Sequence, residues 1–369
     1  MNQPVTSQSG RPKWAVLFYM AGANDLANSM NAGLEKLEAS QPPANLDVFV
    51  QSYTPDGKAK RYRPGHLGEA VSVAGNSGDE KSLSDFVAQA RSETSAEHML
   101  LVVGGHGEGH KGVALDDVHK DRLTLSELEG ALAQSPVDAV LFDSCLMGSL
   151  EVADRLRGEA GVIIASEDVV RSGTSLMDYL EVVSQSDDGS HFGRLMVAHR
   201  PSGFSTITAT DTAALGSLEQ PMTEFCRGLL SLQPEQFQTL HERNRRGLEA
   251  RGNLLMGWMT FPGGRLDLGD LCHDVLDSDF ADECLKDSAR KLGGVLGAAT
   301  LGHAGSKNDG STGFTISLPL YTDGAPQEPD PLWTRTGWDK VMERFQKVDQ
   351  EKAAGPTLME LMRQGFAKP

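Results

Sequence analysis

The chain has 369 residues, with 34 Lys and Arg against 51 Asp and Glu, a formal net charge of −17. At ~150 residues per domain this length corresponds to roughly two domains, or one large domain with additions. A charge that negative argues against nucleic acid or an anionic membrane surface as partner, since both require a basic face, and no apolar run of about 18 residues offers a membrane span.

Residues 1–12 are polar, contain Pro4 and Pro12, and read as a disordered tail without the basic and apolar regions of a signal peptide. The apolar run Trp14–Met20 predicts a strand, 24–38 a helix with Leu26, Met30, Leu34 and Leu37 on one face, and Leu46–Tyr53 a second strand. A basic, Gly-rich segment over 58–75 reads as a hairpin or an irregular excursion, followed by a helix over 82–91 with serine cap candidates. Strand signals at 98–105, 138–145 and 161–166 alternate with helical stretches at 124–133 and 150–156. Near-continuous apolar strands separated by helices indicate a mostly parallel sheet covered on both faces. One more strand is expected at 206–210. Helical patterns then dominate from 212 to about 301, a strand is expected at 313–320, and 337–345 reads as a closing amphipathic helix. The resulting expectation is an α/β catalytic domain over 13–211, a mostly helical portion over 212–346 that returns the one strand 313–320, and a tail over 347–369.

Two residues stand where this topology concentrates chemistry. His106 follows one strand in a GGHGEG segment, and Cys145 ends a later strand in FDSCLM, with one helix between. A strand–helix–strand unit is a right-handed crossover with parallel strands, so both residues reach the carboxyl edge of the sheet, where open α/β sheets keep their active sites. Thiol and imidazole supply a nucleophile and a proton carrier. Glycines around the histidine let backbone amides approach a substrate, which makes the amides of Gly107 and Cys145 oxyanion-hole candidates. The competing reading is ordinary: cysteine is among the most buried residue types, and a strand-end cysteine is often only packing.

GGHGEG, FDSCLMGSLEVA and IIASED together resemble the clostripain-like cysteine peptidases, of the clan that includes gingipains, legumains and caspases. WAVLFYMAGANDL is similar to that family's first strand and Asn-Asp turn, and LDLGDLC, GFTISLPLY and TGWDKVMERF to its C-terminal landmarks, so the likeness spans about 13–346. The resemblance implies a caspase-like α/β/α sandwich and peptide-bond hydrolysis through a thioester acyl-enzyme, with His106 and Cys145 as the dyad and a protein or peptide as substrate. It further implies that Asp143 lines the primary pocket, favouring cleavage after Arg or Lys, with Ser166, Glu167 and Thr174 as further substrate-binding residues. The sequence departs from the family after IIASED, where a Pro-Gly-x-Gly-Trp stretch with a second acid is replaced by residues 169–176 carrying Arg171. A smaller or apolar side chain before the scissile bond is therefore a competing expectation.

Relatives of this kind are activated by self-cleavage between the dyad residues, which points to Lys120 and Arg122. Asp116, Asp117 and Asp121 nearby are a calcium possibility, although their spacing lacks the EF-hand pattern. No cofactor is required for the chemistry and no metal site is read: His106 and His110 are four apart, but in a Gly-rich segment and not on a helix. Cys145, Cys226, Cys272 and Cys284 form no CxxC pair, which with the absent leader reads as a cytoplasmic protein. The alternatives are a catalytically inactive caspase-like regulatory or binding protein and a zinc-dependent hydrolase.

Overall fold

In the computed structural model, which describes residues 12–171, 176–243, 265–305, 311–318 and 329–353, the first apolar run is a strand buried along its whole length, β1 (Trp14–Met20). The chain continues through α1 (Ala27–Glu38), β2 (Leu46–Tyr53), β3 (Ala59–Tyr62), β4 (Val71–Val73), α2 (Glu80–Glu93) and β5 (His98–Gly104). It then forms a small hairpin, β6 (Val113–Asp116) and β7 (Asp121–Leu123), before α3 (Leu125–Ala133), β8 (Val137–Asp143), α4 (Leu150–Arg155) and β9 (Ala160–Ala165). Next come α5 (Leu176–Ser184), α6 (Gly189–His199), β10 (Ile207–Asp211) and α7 (Glu219–Ser231). Three further strands are β11 (Arg265–Asp267), β12 (Thr300–Ala304) and β13 (Thr315–Ser317). Two compact units emerge, one of residues 1–216 and 296–314, the other of 217–295 and 315–369.

The first unit is built on a nine-stranded sheet in the order β12-β10-β9-β8-β5-β1-β2-β3-β4. The five strands from β9 to β2 are mutually parallel, and antiparallel strands are added at both ends. Side chains alternate across the sheet. Trp14, Val16, Phe18 and Met20 join Leu34 and Leu37 of α1, Tyr179 and Leu180 of α5, and Phe192 and Met196 of α6 in one cluster. Tyr19 faces the other side, its ring 6.2 Å from Phe86 of α2. Both faces are thus covered by helices, as a parallel sheet requires. Helix starts follow local chemistry: Asp79 accepts from the Ser82 N–H at α2, and Thr124 and Glu127 form a reciprocal capping box at α3.

The second unit is mostly helical and holds β11 and β13, which pair antiparallel. The Arg344 guanidinium donates to the Leu229, Leu230 and Leu232 carbonyls at the end of α7 and stacks 4.3 Å over Phe237.

Three assignments differ from the sequence reading. The strand expected at 313–320 is Thr315–Ser317, and it pairs with β11 in the second unit. The strand at one edge of the central sheet is β12, which begins where the stretch read as helical ends; it is a half-buried edge strand with a central glycine, so neither an apolar run nor strict alternation marks it. Between the expected strand at 98–105 and helix at 124–133, where no element is expected, stands the hairpin β6–β7. The tail at 1–12 falls outside the described residues except at Pro12, as do residues 354–369 of the C-terminal tail.

Candidate active site

Strands β5 and β8 are parallel neighbours in a register that pairs Gly104 with Asp143. Two residues further along each strand, at the same carboxyl edge, stand His106 and Cys145. The two loops touch. A Cβ built on Gly107 would collide with the Cys145 carbonyl oxygen and stand 3.0 Å from the Ser144 Cβ, so glycine is required for this approach. The Gly105 N–H donates to the Asp143 carbonyl at 3.3 Å and the Ser144 hydroxyl to the Val103 carbonyl at 3.1 Å, binding the loops together at their roots.

The histidine loop leans outward onto the hairpin. Ala114 N–H donates to the His106 carbonyl (3.0 Å) and Glu108 N–H to the Gly112 carbonyl (2.9 Å), flanking a bridge between Gly107 and Val113. With the flanking residues making the bonds, Gly107 occupies a non-hydrogen-bonded position of the ladder, and its N–H points away from β6. The imidazole is about one-third exposed, and its Nε2 lies 2.6 Å from Asp25 Oδ1. Arg122 forms an ion pair with Glu108, two residues beyond the histidine.

The cysteine loop turns inward onto the end of β9. Leu146, in a left-handed conformation (φ 69°), donates its N–H to the Asp168 carbonyl at 3.1 Å, and Gly148 N–H donates to the Ser166 carbonyl at 2.7 Å. Ser149 then caps α4. The half-buried Cys145 thiol donates to the Val170 carbonyl (3.6 Å) and accepts from the Val170 N–H (3.3 Å). The segment holding Val170 is itself fixed, by a bridge to Phe204 and a bond from Arg171 N–H to the Gly203 carbonyl.

Of the residues expected to line the pocket, Asp143 stands half-buried at the tip of β8, two residues before the cysteine. Ser166 is fully buried, its hydroxyl paired with Thr206 at 2.9 Å and accepting from the Asp168 N–H. Glu167 is also buried and donates its N–H to Thr206. Both side chains are buried just past the end of β9, where that strand pairs with β10. Thr174 lies outside the described residues.

Lys120 occupies the exposed turn of the hairpin with φ 57°, whereas the Arg122 side chain is held by Glu108. The Asp116 carboxylate is buried and committed: Oδ1 accepts from the N–H groups of Val118 and His119, and Oδ2 from Ser77 N–H. Burial alone would raise this carboxyl, but those bonds from Ser77 and His119 outweigh it and hold the group below its ordinary value. Asp121 accepts from the Asn76 amide at 2.6 Å. Among the described residues no group of three His, Cys, Asp or Glu side chains could share a metal ion, and no helix is long and apolar enough to cross a membrane. Of the other thiols, burial pushes Cys226 up to about 12 and Cys272 further still, while Cys284 is exposed. The sequence reading assigned no role to Asp25 or Val170; the Asn24-Asp25 turn after β1 was the only signal for the first, and nothing in a run of valines marks the second.

This geometry has known counterparts. The clostripain family model matches residues 18–217, more than half of the chain. Clostripain of Hathewaya histolytica is 25% identical over 220 residues, covering 46% of this chain and 42% of that relative's length, so the match spans less than half of it. A secreted C11 cysteine protease from Bacteroides thetaiotaomicron shares the fold with a TM-score of 0.65, at 15% identity over 88% of this chain and 99% of that one. A secreted C11 cysteine protease from Bacteroides thetaiotaomicron in complex with an irreversible peptide inhibitor gives a TM-score of 0.58, at 18% identity over 89% and 100% of the two chains. An inactive zymogen C11 protease from Parabacteroides distasonis gives 0.56, at 16% identity over 92% and 98%. The fold is therefore the caspase-like α/β sandwich of these proteases, and the chain belongs to the clostripain family of cysteine peptidases.

Proposed function

We propose that the protein is a cysteine endopeptidase in which Cys145 and His106 form the catalytic dyad. The observation that carries the reading is the shared register of β5 and β8 with Gly107 seated on the Cys145 backbone, which sets imidazole and thiol at one edge of one sheet. In this reaction His106 takes the thiol proton, and the Cys145 sulfur bonds to the scissile carbonyl carbon. The Gly107 and Cys145 amides stabilise the oxyanion. The C–N bond breaks as His106 returns the proton to the leaving amine, and water then hydrolyses the thioester. Thiol and imidazole need no cofactor, so a chelator is expected to leave the rate unchanged; loss in chelator with recovery in calcium would bring in the Asp117 and Asp121 turn.

Cleavage after Arg or Lys belongs to the same proposal. Asp143 is the acid nearest the nucleophile in sequence, and a carboxylate there attracts a guanidinium or ammonium group. The inhibitor-bound relative supports a peptide as substrate. Self-activation also belongs here, supported by the zymogen relative and by the exposed turn at Lys120; Arg122, tied to Glu108, is the less open of the two sites. We also place the chain in a reducing compartment such as the cytoplasm, on the strength of four free thiols. The Bacteroides thetaiotaomicron relative is a secreted protease, so cell fractionation is the test.

The deciding experiment profiles the purified chain on a peptide library beside its Cys145→Ala and Asp143→Ala variants. Cleavage after basic residues, absent in the first variant and redirected in the second, is the expected result; cleavage surviving Cys145→Ala would sink the proposal. A regulatory protein without hydrolytic activity is the second reading, favoured by the Val170 backbone seated on the thiol. It predicts no cleavage before or after the hairpin is cut.

A further inference from the structure

One short strand holds both halves of a contact that the dyad alone does not explain. Strand β6 bonds on one side to the histidine loop, through Ala114 N–H to the His106 carbonyl (3.0 Å). On the other side it bonds to the loop after β1: the buried Asn24 amide donates to the Leu115 carbonyl at 2.7 Å, and Asp117 N–H donates to the Ala23 carbonyl at 3.0 Å. Asn24 also donates to the Ala21 carbonyl and accepts from Leu26 N–H, both at 3.0 Å, so its side chain fixes the loop on each flank. Ala114 adopts a left-handed conformation (φ 58°) beside a register shift in the hairpin. The residue after Asn24 is Asp25, whose Oδ1 lies 2.6 Å from His106 Nε2.

We propose that Asp25 is a positioning residue for His106, set in place by Asn24 on the β6–β7 hairpin. Its carboxylate accepts from Nε2 and so keeps the hydrogen on that nitrogen, which leaves Nδ1 to exchange the proton with the Cys145 thiol and the leaving amine. The Asp25 side chain is 76% exposed, and an ion pair in that setting adds little to stability. What it supplies is the tautomer and orientation of the ring. The inference rests on the peptidase reading, and it adds a consequence: the hairpin that carries Lys120 also fixes the geometry of the general base.

The test uses the full chain and its Asp25→Ala, Asp25→Asn, Asn24→Ala and Asp25→Ala/Asn24→Ala variants, with kcat and KM measured on a peptide that the parent cleaves. In parallel, ¹⁵N shifts of the His106 ring are recorded on the parent and on Asp25→Ala. The expected result is a kcat about tenfold lower in Asp25→Ala with KM unchanged, a smaller loss in Asp25→Asn, whose amide oxygen still accepts, and a double variant no slower than the slower single. The ring is expected to carry its hydrogen on Nε2 in the parent and to lose that preference in Asp25→Ala. Parental kcat in Asp25→Ala, a loss confined to KM, additive single effects, or Nδ1 protonated in the parent would each overturn the proposal. If Asn24→Ala does not fold, the Asp25 variants decide alone. Should the parent cleave no peptide, the peptidase reading falls while the ¹⁵N shifts still decide the role of Asp25.

Discussion

The loops that follow β5 and β8 leave the same sheet edge side by side, yet they are held in opposite ways. The histidine loop is glycine-rich and leans out onto an exposed hairpin, with Ala114, Glu108 and Asp25 as its supports. The cysteine loop folds back onto the sheet, bonded to the tips of β9 and to Val170. A nucleophile must be aimed at one point in space, and rigid backbone bonds achieve that. In the proposed dyad the proton carrier must meet the thiol and then the leaving group, and the His106 loop is bonded to the hairpin that carries Lys120. On that reading the sulfur is held by backbone bonds to the sheet and the imidazole by a hairpin outside it.

Four changes break or sharpen that contrast. Cys145→Ala is expected to lower turnover at least about thousandfold, while Cys226→Ala, Cys272→Ala and Cys284→Ala leave it within about threefold once the folded fraction is taken into account; peptide hydrolysis assays on all four check this. Gly107→Ala strikes where the loops touch: its Cβ would drive them apart at the Cys145 carbonyl and misplace an oxyanion donor. A loss of about hundredfold in kcat is expected, with a fold that still melts cooperatively in calorimetry. Asp143→Ala, on the sheet side, is expected to lower kcat/KM for Lys and Arg peptides about tenfold while sparing peptides with small apolar residues at that position, as competition between two labelled peptides would report.

The smallest effect concerns the hairpin side. The Asp116 carboxyl is held below its ordinary value in the folded hairpin, so its contribution to stability is present above about pH 4. That contribution is lost as the pH falls through the depressed folded value, where the carboxylate is protonated. Hydrogen exchange at the Val118 and His119 amides, both bonded to Asp116, is therefore expected to lose protection as the pH falls below about 4, before the amides of β5 do. Equal loss in both would dissolve the distinction between hairpin and sheet.

Much of the sheet was legible because its central strands are buried on both faces: β1, β5 and β8 carry long apolar runs that advertise themselves without any partner. The same property hid β12, a half-buried edge strand with Gly302 at its centre, and the β6–β7 hairpin, whose turns are set by Gly112 and by the bonds of Asp116 rather than by alternation. In the site, His106 and Cys145 could be found because strand ends in a parallel sheet converge, a matter of topology. Asp25 and Val170 could not, since their contacts depend on which loop crosses which, and the bond of the Ser166 hydroxyl to Thr206 likewise joins segments 40 residues apart.

The pairing of His106 with Cys145 is tested most directly by the rate at which iodoacetamide alkylates each cysteine at pH 7, resolved by peptide mass spectrometry in the parent chain and in His106→Ala. Fast labelling at Cys145 that slows at least about tenfold in the variant is expected, with Cys226 and Cys272 unlabelled in both because burial keeps them as neutral thiols. Cys145 labelling at the same rate with and without the imidazole, or no faster than at the exposed Cys284, would contradict a dyad at this sheet edge.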